Sequence, residues 1–385
     1  MRNQSDVLII GAGIIGLACA EHFARMGSRV TILERHLPGA GQTTRTGGGI
    51  RLAHGSELNI RLTLRSLPAW ACFSKAFGVD PNYRETGHLF LTSENKQIDG
   101  FRTQIALHRQ MGVRSAIIDR SQVVERWPQL EKVSATHALS CRQGGYLDHH
   151  RVVDGYTRKI LSAGVRLELG CRVENIVQEA GRVVGVETSL GAFKAQVVIN
   201  AAGPLAGRFT AQVGGRDPFV SRRHELLIVA PTAPVKDTTP WIIDVDRQVH
   251  LRPDGGGRAL VGGFLGSDEA SGPQRYDRDY TDAWADQVRN VANTSFGVTE
   301  TDCPIVTGWA GLYPGTRDYL PVAEVTVPGM ITIAGLSGTG LMHAPAMAEI
   351  AWDLAHASNT SWIDTKTLSS ERFETTERQL ERTGF

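Results

Sequence analysis

The chain has 385 residues, with 41 Lys and Arg against 40 Asp and Glu, so its formal net charge is +1. That balance excludes a nucleic-acid binder working by bulk phosphate neutralisation. Hydrophobic residues at 41% and charged residues at 21% describe a globular chain with material for about two or three domains, and no run of about 18 apolar residues offers a membrane span.

Met1 to Asp6 leads straight into an apolar strand, without a signal-peptide h-region, and Cys19, Cys72, Cys141, Cys171 and Cys303 form no CxxC pair. We therefore expect reduced thiols and a cytoplasmic location, with neither a disulfide framework nor a zinc site. Val7-Leu8-Ile9-Ile10 predicts a buried strand, Leu17–Met26 a helix ended by Gly27, and Arg29–Leu33 a second strand. Together these make a βαβ unit whose strands are apolar throughout, as buried parallel strands are. Residues 57–78 predict a helix carrying Leu58, Leu62, Leu64, Leu67 and Trp70, residues 84–92 a strand, and 94–111 and 121–127 two more helices. A helix over 151–163 precedes strands at Val165–Leu169, Arg172–Gln178, Val183–Thr188 and Ala195–Asn200. Residues 222–264 alternate strands with Pro and Gly turns, 279–294 predict a helix, Val327–Ala334 a last strand and Ala344–Ala357 a last helix. The tail from Ser358 is polar and expected at the periphery.

Gly11, Gly13 and Gly16 follow the first strand and open the first helix, and Glu34 lies 18 residues after Gly16. The first glycine permits the tight turn, the second admits a pyrophosphate against the backbone, and the third lets helix and strand approach. The helix N-terminus offers N–H groups and a positive dipole end, and the acid accepts from a ribose hydroxyl. This context makes the spacing a dinucleotide site.

Three stretches carry a more specific likeness: Val7–Arg35; Gly47–Gly55; and Gly308–Ala346, with Tyr313-Pro314-Gly315-Thr316-Arg317-Asp318-Tyr319-Leu320-Pro321 and Gly335-Leu336-Ser337-Gly338-Thr339-Gly340. With these the chain resembles the D-amino-acid-oxidase superfamily of flavoproteins. Within it, the chain resembles the sarcosine oxidase and glycine oxidase branch, which includes the catalytic β subunits of heteromeric sarcosine oxidases and dye-linked proline dehydrogenases. The resemblance implies an α/β, overall α+β, architecture. A Rossmann-like FAD-binding domain would come from 1–83, 146–215 and 303–385, and an antiparallel-sheet substrate domain from 84–145 and 216–302.

The same resemblance implies bound FAD. Gly11, Gly13 and Gly16 would take the pyrophosphate and Glu34 the ribose, with Arg35, Thr43 and Thr44 on the adenine and phosphate side. Val173 would meet the adenine through its backbone, and Gly203 would form a second glycine turn. Gly338, Thr339, Gly340, Leu341 and Met342 would border the isoalloxazine. Arg51 matches an arginine that clamps the substrate carboxylate; His54 and Arg45 flank it as secondary candidates. Tyr313 and His224 match positions facing substrate and flavin. His149-His150 reads as a helix cap or surface pair, and no spacing resembles a metal site. Three departures stand out. Met342 replaces a lysine that supports the arginine. Leu260 falls near a lysine that promotes reaction with oxygen. Gly311 falls where a cysteine links FAD, so FAD is expected to be non-covalent, with Cys303 some eight residues away.

The implied activity is oxidation of the C–N bond of an amino acid or N-substituted amino acid. Hydride passes to flavin N5, leaving an imine and, with oxygen as acceptor, hydrogen peroxide. The alternatives are a dye-linked dehydrogenase or flavoprotein subunit using another acceptor, and an FAD monooxygenase, whose Asp-Gly context Asp154-Gly155 and Asp254-Gly255 lack. Met342 favours a secondary or side-chain-bearing amino acid over sarcosine. The expected partners are a small-molecule amine or amino acid and an electron acceptor; nucleic acid is not among them, and a partner subunit or homo-oligomer stays open.

Overall fold

Strand β1 (Gln4–Ile10) is apolar at every position from Val7 because both of its faces are covered. Val7 and Ile9 enter one core and Leu8 and Ile10 another, so the strand separates two hydrophobic layers. The computed structural model describes residues 3–265, 272, 277–297, 303–358 and 360–374. Along the chain, β1 is followed by α1 (Ile14–Arg25), β2 (Val30–Glu34), β3 (Gly49–Arg51), α2 (Glu57–Ala71) and α3 (Phe73–Phe77). Then come β4 (His88–Thr92), α4 (Asn95–Gln110), β5 (Ser115–Asp119), α5 (Arg120–Arg126), β6 (His137–Cys141) and β7 (Gly144–Tyr146). Helix α6 (His149–Ser162) leads to β8 (Arg166–Leu169), β9 (Val173–Glu179), β10 (Arg182–Thr188), β11 (Gly191–Asn200) and α7 (Ala206–Gln212). Next are β12 (Val220–Val229), β13 (Trp241–Asp244), β14 (Val249–Pro253), β15 (Ala259–Gly263) and α8 (Asp282–Phe296). The chain closes with β16 (Ile305–Gly315), β17 (Val322–Val327), β18 (Met330–Ala334) and α9 (Gly340–Ala355).

Two eight-stranded sheets organise these elements. The first runs β17-β18-β11-β1-β2-β8, with β10 beside β11 and β9 beside β10. Its centre, β18-β11-β1-β2-β8, is parallel, so the strands' C-terminal ends align along one edge. In open α/β sheets that edge is where ligands bind. Helices α1, α6 and α9 cover one face, through Leu17, Phe23, Ile160, Met347 and Ile350.

The second sheet runs β16-β12-β15-β14-β13-β4-β6-β5 and is antiparallel except where β13 meets β4. Register assigns its faces. Leu227, Val261, Leu251, Ile242 and Leu89 lie opposite one another in turn, and all pack under Trp284 and Val288 of α8. The other face carries Tyr313, His224, Gly262, His250, Trp241 and His88. Strand β16 lies beyond the boundary expected at 303, yet its ladder runs along β12 from Val220 to Val229. No helix among the described residues is long and apolar enough to cross a membrane.

The last helix begins at Gly340, four residues before the expected Ala344. Pro345 invites the later start, because proline suits a first turn and has no N–H for Leu341. The earlier start is supported from outside: Trp70 Nε1 donates to the Met342 carbonyl at 3.1 Å, and Ser66 Oγ accepts from Ala346 N–H at 3.2 Å.

Candidate active site

The glycine turn after β1 is built by backbone contact. Gly11 has φ +99°, and a Cβ there would stand 2.8 Å from the Ala201 carbonyl oxygen at the end of β11. A Cβ on Gly16 would stand 1.9 Å from the Gly11 oxygen, so only glycine lets α1 approach its own loop this closely. Gly13 is the N-cap of α1 and offers no side-chain cap; instead Thr43 Oγ1 accepts from Ile14 N–H at 3.0 Å. Glu34 ends β2 and braces the turn, one carboxylate oxygen accepting from Ala12 N–H and the other from His36 N–H, each at 2.8 Å. A carboxylate accepts about four hydrogen bonds, so this one keeps capacity for a ribose hydroxyl.

A single cleft starts here and runs to the other end of the chain's fold. Gly11, Gly13, Glu34, Arg35, Thr43, Val173 and Gly203 line one end, together with Cys171 and Arg208. Gly338, Gly340, Leu341, Tyr313 and His224 line the other. The N-terminus of α9 opens into that far end, and its cap residue Thr339 turns its hydroxyl back onto the Leu336 carbonyl. A Cβ on Gly338 would meet the Tyr313 ring at 2.6 Å, so this glycine seats the phenol against the loop. The cleft therefore has a helix N-terminus at each end, glycine backbone between, and an acid at the nucleotide end. Those residues fit FAD: an anionic diphosphate at α1, and the negative charge of a reduced flavin at α9.

Five predicted residues shape the site without lining the cleft, Arg51 among them. Gly16 packs on Gly11, and Thr44 donates to the Gly39 carbonyl at 2.9 Å. Thr339 closes its own turn, and Met342 is 7% exposed within the core. Asp318 is held by Arg372 and Thr316, an arrangement that ties the tail to the loop after β16.

Arg51 ends β3 and is 6% exposed, with its guanidinium 5.9 Å from the centre of the Phe90 ring. It lies near the ring-bearing face of the second sheet, and its charge bears on both His88 and Tyr313. On that face His224 stands 4.3 Å from Tyr313 and 4.7 Å from Phe264, and His250 5.5 Å from Trp241. His250 lies over Gly262, where a Cβ would come within 2.4 Å of its ring. Burial pushes His224 down to about 3, helped by His250 and Arg222; it pushes His250 and His88 down to about 3 as well, helped by Arg252 and Arg51 respectively. All three are neutral at physiological pH. Burial raises the Tyr313 hydroxyl against the opposing pull of Arg51. Among the described residues no cluster of His, Cys, Asp and Glu could hold a metal.

Sequence reading missed the residues that join the two halves. Trp241 lies against the glycine loop, and a Cβ on Gly47 would meet its ring at 2.6 Å. Arg252, 6% exposed, donates to the Gly47 carbonyl at 2.7 Å. Gln42 accepts from Leu312 N–H at 2.7 Å beside Gly311, whose Cβ would press on Arg45 at 2.9 Å. The run of three glycines at 47–49 was the available signal, because such a run leaves room for a large neighbour. Cys303 packs in the core beneath α8, on the sheet face away from the cleft.

The model of the FAD dependent oxidoreductase (DAO) family matches residues 6–354. Among solved structures, the L-proline dehydrogenase of P. horikoshii is 26% identical with a TM-score of 0.87, covering 97% of this chain and 98% of that one. The glycine oxidase of Geobacillus kaustophilus is 24% identical over 375 residues, 94% of this chain and 96% of that protein. The sarcosine oxidase subunit beta of Rhodobacter capsulatus is 25% identical over 372 residues, 91% and 85%. The chain spans only about 30% of the length of longer mitochondrial relatives that it also matches.

Proposed function

The chain belongs to the FAD-dependent oxidoreductase family, and from that premise we propose that it oxidises the C–N bond of an amino acid or N-substituted amino acid. The observation that carries this reading is the buried guanidinium of Arg51 beside the ring-bearing face of the second sheet, whose His224 and Tyr313 line the flavin end of the cleft. When bound along the cleft that Gly11, Gly13, Glu34, Gly338 and Gly340 line, FAD would supply the redox chemistry as the hydride acceptor.

The chain's own residues do the rest. Arg51 holds the carboxylate by paired charge-assisted hydrogen bonds and so fixes the carbon that loses hydride. His224, His250 and His88, all uncharged, surround the amine with surfaces that favour its neutral form by desolvation. Tyr313, seated on Gly338, closes the chamber against the flavin loop. Met342 in place of a second cation leaves the carboxylate to Arg51 and favours an amino acid with a side chain or ring over sarcosine. The imine product leaves for hydrolysis, or remains cyclic if the substrate is cyclic.

A second reading concerns the acceptor. Leu260 carries no charge where the resemblance places an oxygen-promoting lysine, and the cations of that sheet face are committed elsewhere, Arg252 to the Gly47 carbonyl and Arg222 over the Tyr319 ring; a cation beside the reduced flavin would favour transfer to oxygen. We infer an acceptor other than oxygen, a dye-type carrier or a partner subunit, and a cytoplasmic setting in which the free cysteines stay reduced.

Anaerobic flavin bleaching by a panel of L-, D- and N-methyl amino acids and their decarboxylated analogues tests the activity, with Arg51→Ala beside the wild type. Loss of a carboxylate clamp should cost about 2–4 kcal/mol in the reductive step. Equal bleaching by acids and decarboxylated amines would refute the reading.

A further inference from the structure

Arg51 does not stand alone. Its Nη2 lies 3.3 Å from His54 Nδ1, His54 Nε2 lies 3.2 Å from Thr63 Oγ1, and Thr63 Oγ1 lies 2.9 Å from His343 Nε2. His54, Thr63 and His343 are all 0% exposed. The chain of contacts passes from β3 through the following loop to α2 and ends on α9, one turn inside the helix whose N-terminus opens at the flavin end of the cleft.

The chemistry of these groups fixes the direction of the hydrogen bonds at the His54 ring. A guanidinium only donates, so His54 Nδ1 must accept. The His54 proton then sits on Nε2 and is donated to Thr63 Oγ1. The threonine oxygen still has a proton and a second lone pair with which to meet His343 Nε2. The His54 backbone is held as well: its carbonyl accepts from His108 Nε2 at 2.9 Å, and His108 Nδ1 accepts from Ser115 Oγ at 2.7 Å. His54 is thus a neutral imidazole in one tautomer, oriented at both ends and at its carbonyl. A protonated His54 could not accept from Arg51 and would repel it.

We propose that His54 is the positioning residue of the carboxylate clamp. Its Nδ1 takes one guanidinium N–H and so sets the plane in which the remaining N–H groups of Arg51 meet the substrate, with Thr63 and His343 anchoring that setting to α9. The role rests on the reading of Arg51 given above. His54 acts through Arg51 and does not touch substrate.

The test uses the FAD-loaded enzyme, with acetate as the carboxylate probe and acetamide as its uncharged control, binding being read from perturbation of the flavin absorption spectrum. The reductive half-reaction with the best substrate of the amino-acid panel and its decarboxylated analogue provides a second readout. His54→Leu should weaken acetate binding about tenfold or more, the effect of losing a hydrogen bond to a charged group, and leave acetamide within about twofold. His54→Asn, whose amide oxygen can reach the same guanidinium N–H, should recover most of that loss. Thr63→Val should weaken acetate about threefold to tenfold through the freed imidazole. For the amino acid, the loss should appear in the saturation constant more than in the limiting rate.

Equal loss for acetate and acetamide in His54→Leu, or no advantage of His54→Asn over His54→Leu, overturns the proposal. If His54→Leu fails to fold, Thr63→Val and His54→Asn decide: a selective acetate effect in Thr63→Val supports the role, and an unselective one overturns it. Arg51→Ala separates the two levels. If it leaves acid and amine alike, the clamp itself falls; if it is selective while the His54 variants are not, only the positioning role falls.

Discussion

Gly13 and Gly16 belong to one motif, yet the structure gives them different work, and alanine at each should show it. At 16 the added methyl would stand 1.9 Å from the Gly11 oxygen and 3.1 Å from its carbonyl carbon. Both are backbone atoms, so no side chain can swing aside, and real Cβ contacts do not fall below 3.0 Å. Helix α1 must then part from its loop by more than about 1 Å, a strain worth roughly 3 kcal/mol or more. At 13 the backbone has φ −71° and ψ 176°, which any residue adopts, and the nearest contact would be Thr43 Oγ1 at 3.3 Å. Gly13→Ala should therefore leave the stability of the FAD-free protein unchanged or raise it by about 0.5 kcal/mol through the unfolded chain. Its methyl faces the cleft where a diphosphate would lie, so FAD affinity should fall roughly 10- to 100-fold, the value of one charge-assisted backbone hydrogen bond. The assay is thermal unfolding with and without FAD, alongside FAD titration by flavin fluorescence. Gly16→Ala should lower the melting temperature of the FAD-free protein by roughly 5 °C or more. The reasoning fails if Gly13→Ala melts as low as Gly16→Ala, or if it binds FAD like the wild type.

Acid should unfold this protein early through its buried imidazoles. His88 and His250 titrate at about 3 in the fold against 6.5 when free, so the unfolded chain binds more protons and stability is lost as pH falls below 6.5. At pH 5 each should cost about 2 kcal/mol, and His250→Asn should flatten its share of the slope in melting temperatures between pH 7.5 and 5; an unchanged slope would count against burial as the cause. Gly47→Ala should destabilise by about 1–3 kcal/mol in the wild type, because its methyl would meet Trp241 at 2.6 Å, and far less in a Trp241→Ala background; additive effects in that double-mutant cycle would remove the proposed contact. FAD should be released whole into the supernatant on acid precipitation, since Gly311 carries no thiol and Cys303 lies on the far face of the second sheet; yellow colour kept in the pellet would refute this.

What could be read from the sequence was what is local in it. The first strand, the glycine turn and Glu34 lie within 35 residues, and their order alone implies the turn that the Glu34 carboxylate braces at Ala12 and His36. Arg51 was proposed by likeness for the same reason, as part of one short contiguous stretch, Gly47–Gly55. Strand β16 was not, because Gly308, Gly311, Pro314 and Gly315 break the apolar alternation by which a strand is recognised. The structure shows why glycine sits there: at 308 a Cβ would meet the Tyr280 ring at 2.4 Å, and at 311 it would meet Arg45 at 2.9 Å. Those neighbours are remote in sequence, so the reason for each glycine is tertiary. The chamber wall was hidden likewise. His88, His250, His224 and Tyr313 come together only through the register of six strands, and a slip of one residue would turn each away. Helix α2 carried a signal that periodicity of apolar residues alone overlooks. Asn59, Thr63, Ser66 and Trp70 recur at helical spacing and are all buried, among leucines that by themselves describe an ordinary amphipathic helix. A polar stripe on a buried face must find partners, and three of its members find them on α9: Thr63 at His343, Ser66 at Ala346 and Trp70 at Met342. The stripe thus states in advance that α2 meets another element through hydrogen bonds. Only the fold reveals that this element is the helix at the flavin end of the cleft, and that the same stripe receives His54 and, through it, the guanidinium of Arg51.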